Sequence, residues 1–250
     1  MEKEYEILGI GCGRWWIAMV CFTMLVVSVC LYGCGKEPYV EAGKGLFSVS
    51  ETRQVVFAMG NLAEDGHGFV AHQWEYGGYF GWGTGDNPGN VSEDAEEYPV
   101  FHDWGDNVGS GWRTLTKDEW YYLFTHRPNA SARYGSGTVD GVHGMVVLPD
   151  VWTQPSNCTF YPGMYGWNNN NYTLEQWTEM EANGAMFLPA AGDRWGTTLI
   201  NVSQVGRYWS SMPYRDTSAY SIYFNNGFLN AVSNNVRHNG FSVRLVQDKR

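Results

Sequence analysis

Hydrophobic and polar residues alternate along two short runs in the C-terminal part of the chain, Tyr220–Phe224 and Phe228–Val232. The dipeptide Asn226-Gly227 lies between them. It predicts a hairpin with a two-residue type I′ turn, in which both residues take positive φ angles. The cross-strand pairs expected from such a turn are Asn225 with Phe228 and Tyr223 with Asn230. The pattern therefore predicts an antiparallel hairpin at the centre of the C-terminal region.

The two faces of this hairpin differ in chemistry, because successive side chains of a strand point to opposite sides. The apolar face, which suits a core, consists of Tyr220, Ile222, Phe224, Leu229 and Ala231. The opposite face consists of Ser221, Tyr223, Asn225, Phe228, Asn230 and Val232. This second face mixes rigid aromatic rings with adaptable hydrogen-bonding groups, as antibody binding loops do. It predicts a binding surface, and the alternative is a hairpin that merely tolerates exposed residues.

Two helices are predicted by capping boxes, in which a threonine side chain caps a backbone amide three residues on and a Glu or Gln reaches back. The first helix follows Thr116 and ends before Pro128, and the second follows Thr173 and ends at Gly184, a residue suited to the position after a C-cap. The residues expected to face the core are Trp120, Leu123 and Phe124 in the first helix and Trp177 and Met180 in the second.

The remaining pattern predicts strands and ordered loops. Strands are expected at Arg53–Ala58, Phe69–Tyr76, Gly144–Leu148 and Ala185–Leu188. The segment Gly77–Asp106 has no clear period and predicts long loops, and Asn168–Asn171 predicts a surface loop. Trp82 and Trp104 would pin the long loops to the core, although exposed rings of this kind also stack on sugars. The element order predicts an α+β fold.

An uninterrupted apolar run, Trp15–Leu31, follows Arg14 and leads into Leu31-Tyr32-Gly33-Cys34. This ending resembles a bacterial lipobox, in which a small residue precedes the cysteine that becomes lipidated. An uncleaved membrane anchor is the alternative, since the run is close to the shortest length that spans a bilayer. The lipobox divides the chain into a signal peptide at residues 1–33, a lipidated tether at residues 34–46 and a folded domain at residues 47–250.

Charge and cysteine content narrow the class of partner. The formal net charge is −10, and it is −9 after removal of residues 1–33, with no cluster of basic residues. An acidic domain of this kind predicts no nucleic-acid partner and no attraction to anionic lipid, so membrane attachment would come from acyl chains on Cys34. Cys158 is then the single thiol of the domain, which predicts an inert thiol and no internal disulfide.

Catalytic patterns are missing from the sequence. No HExxH, GxSxG, CxxC or P-loop pattern occurs, and the six histidines are scattered, with His67 and His72 the nearest to a metal-ligand spacing. Paired carboxylates for glycoside hydrolysis would have to come from Asp103, Asp106, Asp118 or Glu119. The last two are explained by their place at a helix start. The sequence predicts no enzyme, no cofactor and no catalytic or metal-ligating residues.

Several blocks resemble a known family, the Bacteroidales surface lipoproteins with a C-type-lectin-like fold, of which some are variable (target) proteins of diversity-generating retroelements. The blocks are Trp112–Trp120, Leu148–Asp150, Phe187–Gly192, Tyr208–Ser211, Ala219-Tyr220, Phe224-Asn225, Gly227 and Asn239–Arg244. The resemblance implies two helices packed on a twisted antiparallel sheet, with a C-terminal hairpin, long loops and a ligand face on the C-terminal sheet. It also implies a surface-exposed lipoprotein of the outer membrane.

The fold is shared with formylglycine-generating enzymes, but their pair of C-terminal reactive cysteines is absent after Cys158. Calcium-dependent lectins ligate their ion partly through Glu-Pro-Asn or Gln-Pro-Asp and Trp-Asn-Asp, and nothing matches in the right place. Asp86-Asn87-Pro88 with Asn90 is equally compatible with an ion or with turn chemistry. A carbohydrate-binding module and a structural component of a surface assembly remain the alternatives to a general ligand-binding protein.

Composition supports a diversified C-terminal segment. Lys, Glu, Gln, Met and Trp account for 47 of the 250 residues, so about six are expected among the 34 residues Pro213–Val246, and none occurs. No codon that ends in a pyrimidine encodes any of these five amino acids. Asparagine codons end in a pyrimidine, so randomising their two adenines never produces one of the five, and their absence is expected of a segment diversified in this way. The ligand contacts predicted from the pattern and the resemblance, for a protein or glycan outside the cell, are Tyr214, Arg215, Asp216, Ser221, Tyr223, Asn225, Asn226, Phe228, Asn230, Asn234, Asn235 and His238.

Overall fold

The computed structural model describes residues 39, 41–84, 100–109 and 111–249. Within these ranges the chain forms thirteen strands, three α-helices and a single 3-10 turn at Ala130–Ala132. The helices are α1 (Gly105–Val108), α2 (Lys117–Thr125) and α3 (Leu174–Ala182). The strands are β1 (Phe47–Ser48), β2 (Gln54–Phe57), β3 (Trp112–Thr114), β4 (Tyr134–Val139), β5 (Val142–Val147), β6 (Asn171–Tyr172), β7 (Met186–Pro189), β8 (Asp193–Trp195), β9 (Thr198–Ile200), β10 (Val205–Arg215), β11 (Ser218–Asn225), β12 (Leu229–Val236) and β13 (Leu245–Lys249). The fold is mixed α+β and consists mostly of sheet.

The strands form three sheets and a two-stranded ribbon in the described part of the chain. The sheet orders are β1-β2-β13-β3, β10-β11-β12 and β6-β4-β5-β7, and the ribbon is β8-β9. The predicted α+β class is confirmed, but the strands are shared among several sheets rather than the one twisted antiparallel sheet that the resemblance implies, and β4 pairs with β6 in parallel. The hairpin β11-β12 is also not the last element, since β13 returns to lie between β2 and β3.

Both long helices begin as predicted. The side chain of Thr116 accepts from the amide of Glu119 at 3.2 Å, and the Glu119 carboxylate accepts from the Thr116 amide at 2.8 Å. Thr173 and Gln176 form the same reciprocal pair. At the end of α3, Gly184 has a φ of +92°, and the amides that follow the helix bond back to its last turn. Such an end requires a residue that tolerates the left-handed region.

The core is organised in three clusters. The largest packs α2 against residues of all three sheets, and it includes Trp120, Phe57 and Phe224. A second cluster contains Trp82 and Trp104, and both side chains are buried. Buried indoles cannot stack on sugars, so that alternative is wrong. The third packs α3 against the sheet of β4–β7. All five helical residues expected to face inward are buried: Trp120, Leu123, Phe124, Trp177 and Met180.

Other sequence predictions meet a mixed outcome. Strands at Arg53–Ala58, Gly144–Leu148 and Ala185–Leu188 are confirmed within a residue or two. Phe69–Tyr76 is not a strand, because only Phe69 makes a bridge, to Leu62. Residues 41–46 are not a free tether, since the amide of Gly43 donates to the carbonyl of Phe57 and that of Met59 to the carbonyl of Glu41.

Asn168–Asn171 is not a simple surface loop, because the Asn170 side chain is buried and hydrogen-bonded. Cys34 and the candidate ion site at Asp86–Asn90 lie outside the described residues.

Candidate functional site

The predicted hairpin is present, with a different turn. Tyr223 pairs with Asn230 as expected, and the amide of Asn225 donates to the carbonyl of Phe228 at 2.9 Å. Neither turn residue has a positive φ angle, so the type I′ prediction is wrong. The Asn225 side chain instead accepts from the Gly227 amide at 2.9 Å. The carbonyl of Asn226 accepts from the Gly166 amide at 2.7 Å, so side-chain and loop contacts hold another turn conformation.

A register shift between Ser221 and Tyr223 changes the second strand of the hairpin. Ser221 pairs with Ser233, one residue beyond the regular register, which would place it opposite Val232. An extra residue of this kind moves the following side chains to the other face. The predicted alternation of the two faces therefore holds between the turn and the pair of Tyr223 with Asn230, and it fails in the rest of β12.

The inner face of the hairpin is part of the core. Ile222, Phe224 and Ala231 are buried in the main cluster, and Tyr220 and Leu229 are half-buried. Alternation and register place Arg207 and Trp209 of β10 on the outer face with Ser221, Tyr223 and Asn225 of β11.

The middle of the outer face is covered. The ring of Phe241 stacks on Trp209 at 4.2 Å, and the Trp82 indole N–H donates to the carbonyl of Ser210 at 2.8 Å. Ser221 lies at this level of the strand and is 1% exposed, so its predicted role as a ligand contact is wrong. The physical reason is the chain after β12, which folds back against β10 with Ser242 in parallel pairing with Tyr208.

The remaining predicted contacts lie at the two ends of β11, about 25 Å apart at the usual rise of a strand. At the end near Asp216 lie Tyr214, Arg215, Asp216, Asn234, Asn235 and His238. Here Tyr214 packs edge-on against Tyr220 at 5.1 Å, and Asn235 accepts from the Asn239 amide group at 2.9 Å. His238 is half-buried, and its Nδ1 has no hydrogen-bond partner.

The other end carries a contiguous group that we call the tip cluster, made of Tyr223, Asn225, Asn226, Phe228 and Asn230. The rings of Tyr223 and Phe228 lie 6.4 Å apart, and the Asn225 amide donates to the Tyr223 hydroxyl at 3.1 Å. Phe228 is 53% exposed, and Asn226 is also exposed. The structure thus brings together five of the twelve predicted contacts on one surface.

Two residues that the sequence did not single out extend the tip cluster. The Arg207 guanidinium lies over the Tyr223 ring, 4.6 Å from its centre, and its Nε is 3.5 Å from the Asp193 carboxylate. The indole N–H of Trp195 donates to the same carboxylate at 3.0 Å, and this side chain is 54% exposed. The alternation of residues along Val205–Trp209 is the sequence signal that places Arg207 on the outer face. No local pattern identifies Trp195, because β8 meets β10 only through tertiary contacts.

Possible catalytic groups elsewhere have structural partners. The Asp103 carboxylate accepts from the backbone and hydroxyl of Thr114. The Ser203 hydroxyl lies 3.1 Å from Nδ1 of His143, but the carbonyl of Ser203 lies at 2.9 Å from the same nitrogen. With that carbonyl as its acceptor, Nδ1 carries the proton and is not a base for the hydroxyl. Among the described residues, no group of three or more His, Cys, Asp or Glu is placed to hold a metal ion.

The thiol of Cys158 is buried, and burial raises its pKa. It donates weakly to the Asn157 side chain and to the carbonyl of Gln176. A buried thiol with a raised pKa is a poor nucleophile.

Comparison with protein-family models, with curated proteins and with solved structures finds no match to this chain. None of the helices in the described ranges is long and apolar enough to cross a membrane. The tip cluster, with Arg207 and Trp195, is the candidate site that the geometry itself provides.

Proposed function

We propose that this chain is a lipid-anchored binding protein of the cell surface that presents the tip cluster to a ligand outside the cell. The observation that supports the proposal is the contrast between the two faces of one hairpin. Ile222 and Phe224 are fully buried, whereas Phe228 and Asn226 at the adjoining turn are exposed. Phe228 is exposed and the neighbouring Tyr223 is half-buried. Aromatic side chains left partly open to solvent beside a firmly held strand are typical of a binding surface.

The scaffold beneath the tip cluster is rigid enough for binding without large rearrangement. β11 is the middle strand of its sheet and pairs with β10 and β12 on both sides. The turn is fastened to a separate loop through Gly166. Aromatic anchors on such a scaffold lose little conformational freedom when a ligand binds, which favours affinity.

In the same proposal, the chain has a C-type-lectin-like fold and is a target of a diversity-generating retroelement, with lipid on Cys34. The composition of Pro213–Val246 supports diversification of a segment that contains the whole tip cluster. Sequencing the 3′ end of the gene across a population of the source organism tests this part. We expect variation at tip-cluster codons and constancy at those of Ile222 and Phe224, and equal variation in both sets contradicts diversification.

Panning of a phage-displayed library of random dodecapeptides against the full chain in detergent micelles tests the binding face. Peptides bind preferentially to the surfaces that proteins use, because the same aromatic anchors supply the affinity. We expect the enriched peptides to lose at least tenfold in affinity for the double variant Tyr223→Ala/Phe228→Ala. The matched control is Tyr121→Ala/Val151→Ala, which removes exposed apolar side chains outside the C-terminal sheet. Equal losses in both double variants contradict the proposal.

A further inference from the structure

Arg207 occupies a prepared position beside the tip cluster. Its guanidinium lies between two rings, 4.6 Å from the centre of Tyr223 and 5.3 Å from that of Phe241. The Nε edge faces Asp193, whose carboxylate also accepts from Trp195 and from Asn201 at 3.2 Å. The side chain is therefore held in one orientation by stacking and by charge, although its Nε makes no hydrogen bond.

The two terminal nitrogens of Arg207 have no acceptor in the protein. Among the described residues no hydrogen bond from Nη1 or Nη2 occurs, and neither atom is buried, in contrast to Nε. No strand residue on this face is acidic, since the outward positions of β10, β11 and β12 carry Val, Trp, Pro, Ala, Ser, Tyr and Asn side chains besides arginine. The Arg207 side chain is 18% exposed, and its open edge carries Nη1 and Nη2, whereas the buried Nε faces Asp193.

We propose that Arg207 receives a carboxylate, the side chain of an Asp or Glu on a protein partner, while Trp195, Tyr223 and Phe228 pack around it. The fork of a guanidinium matches the two oxygens of a carboxylate, and such charge-assisted bonds are the strong ones. Trp, Tyr and Arg are also the residues that dominate protein interfaces, where a ring of apolar contacts excludes water from the central pair. This inference rests on the proposed binding function of the same face.

A protein fits this surface better than a small molecule. Small ligands need a concave site of about 300–1,000 Å³ that buries most of their surface. The outer face is instead a sheet surface on which the Arg207 guanidinium lies over the half-buried ring of Tyr223, with the exposed ring of Phe228 beside that ring. It complements an acidic side chain set among apolar groups.

The test uses the dodecapeptides enriched on the full chain. Peptides that bind the tip cluster should carry an Asp or Glu, and replacing that residue by Asn or Gln in the synthetic peptide should weaken Kd by at least tenfold. This change leaves the protein untouched, so folding of a variant does not affect it. Arg207→Lys keeps the charge beside Asp193 but removes the planar fork, and it should weaken binding at least fivefold. Arg53→Lys, at a half-exposed position outside the C-terminal sheet, is the matched control and should leave Kd unchanged.

The outcomes separate this inference from the proposed function. If binding is lost with Phe228→Ala but is unaffected by removal of the peptide carboxylate, the face binds ligands and the role of Arg207 is wrong. If no peptide distinguishes the wild type from Tyr223→Ala/Phe228→Ala, both proposals fail. A glycan array that contains neutral and uronic-acid oligosaccharides is the third arm. Arg207-dependent binding of uronic-acid glycans, without binding of acidic peptides, overturns the assignment to a protein partner.

Discussion

Replacement of Asn170 should destabilise the loop that supports the tip cluster. The side chain is buried, and its amide group donates to the carbonyls of Ser136 and Tyr161, each at 2.8 Å. Its carbonyl oxygen accepts from the amide of Tyr161 at 2.7 Å. One side chain therefore fastens the segment before Asn170 to β4, and that segment contains Gly166, the partner of the hairpin turn.

The size of the effect follows from these three bonds. Each hydrogen bond contributes about 0.5–1.5 kcal/mol net, so Asn170→Ala should lower the free energy of unfolding by about 3 kcal/mol. For a domain of this size that corresponds to a fall in Tm of about 6–12 °C. Asn170→Asp should cost more at neutral pH, because a carboxylate would face two carbonyl oxygens without a proton to donate.

Thermal unfolding followed by circular dichroism measures both variants, and Asn168→Ala, at an exposed position of the same loop, is the control. The control should unfold within about 2 °C of the wild type, as surface substitutions usually do. Lowering the pH should reduce the difference between Asn170→Asp and Asn170→Ala, since a protonated carboxyl regains one donor. A Tm for Asn170→Ala equal to that of the control refutes the reasoning.

Three further predictions concern stability and reactivity. Arg244 is buried, has no carboxylate partner among the described residues, and donates to Asn61, Ala58 and Phe187. Arg244→Met should therefore lower the free energy of unfolding in urea by at least about 3 kcal/mol, and a loss below about 1 kcal/mol would show that these bonds contribute little. A hydrogen bond from Arg113 holds the pKa of Asp248 below its usual range, so its stabilising effect is present above about pH 4 and is lost as the pH falls through the lowered pKa. The fall in the urea midpoint between pH 7 and pH 3 should therefore be smaller in Asp248→Asn, and an equal fall contradicts this. Cys158 should be alkylated by iodoacetamide much more slowly in the folded chain than in urea, as mapped by mass spectrometry of its peptide, and equal rates would show that the thiol is accessible.

Local signals were sufficient for the helices and for the hairpin. The capping boxes at Thr116 and Thr173 are short-range patterns with one geometric solution, and both helices start where these patterns place them. The alternation around Asn226 gave the pairing of Tyr223 with Asn230 because a short turn fixes the register of the residues beside it.

Long-range contacts account for what the sequence did not predict. The burial of Ser221 depends on Phe241 and Trp82, which are distant in sequence and cover the middle of the outer face. The contacts of Asp193 with Trp195 and Arg207 depend on where the β8-β9 ribbon lies relative to β10, and no local pattern predicts that position. The register shift in β12 similarly has no signal in the alternation of its residues.

The measurement that tests the central claim most directly compares the two faces of the hairpin in one experiment. Thermal unfolding and peptide binding are measured for Tyr223→Ala/Phe228→Ala on the outer face and for Ile222→Ala on the inner face. The double variant should lose at least tenfold in affinity and should lose less stability than Ile222→Ala, because Phe228 is 53% exposed and Tyr223 is half-buried. Ile222→Ala should lose about 2–5 kcal/mol of stability. A double variant that unfolds as readily as Ile222→Ala, or that binds peptide as well as the wild type, contradicts the account.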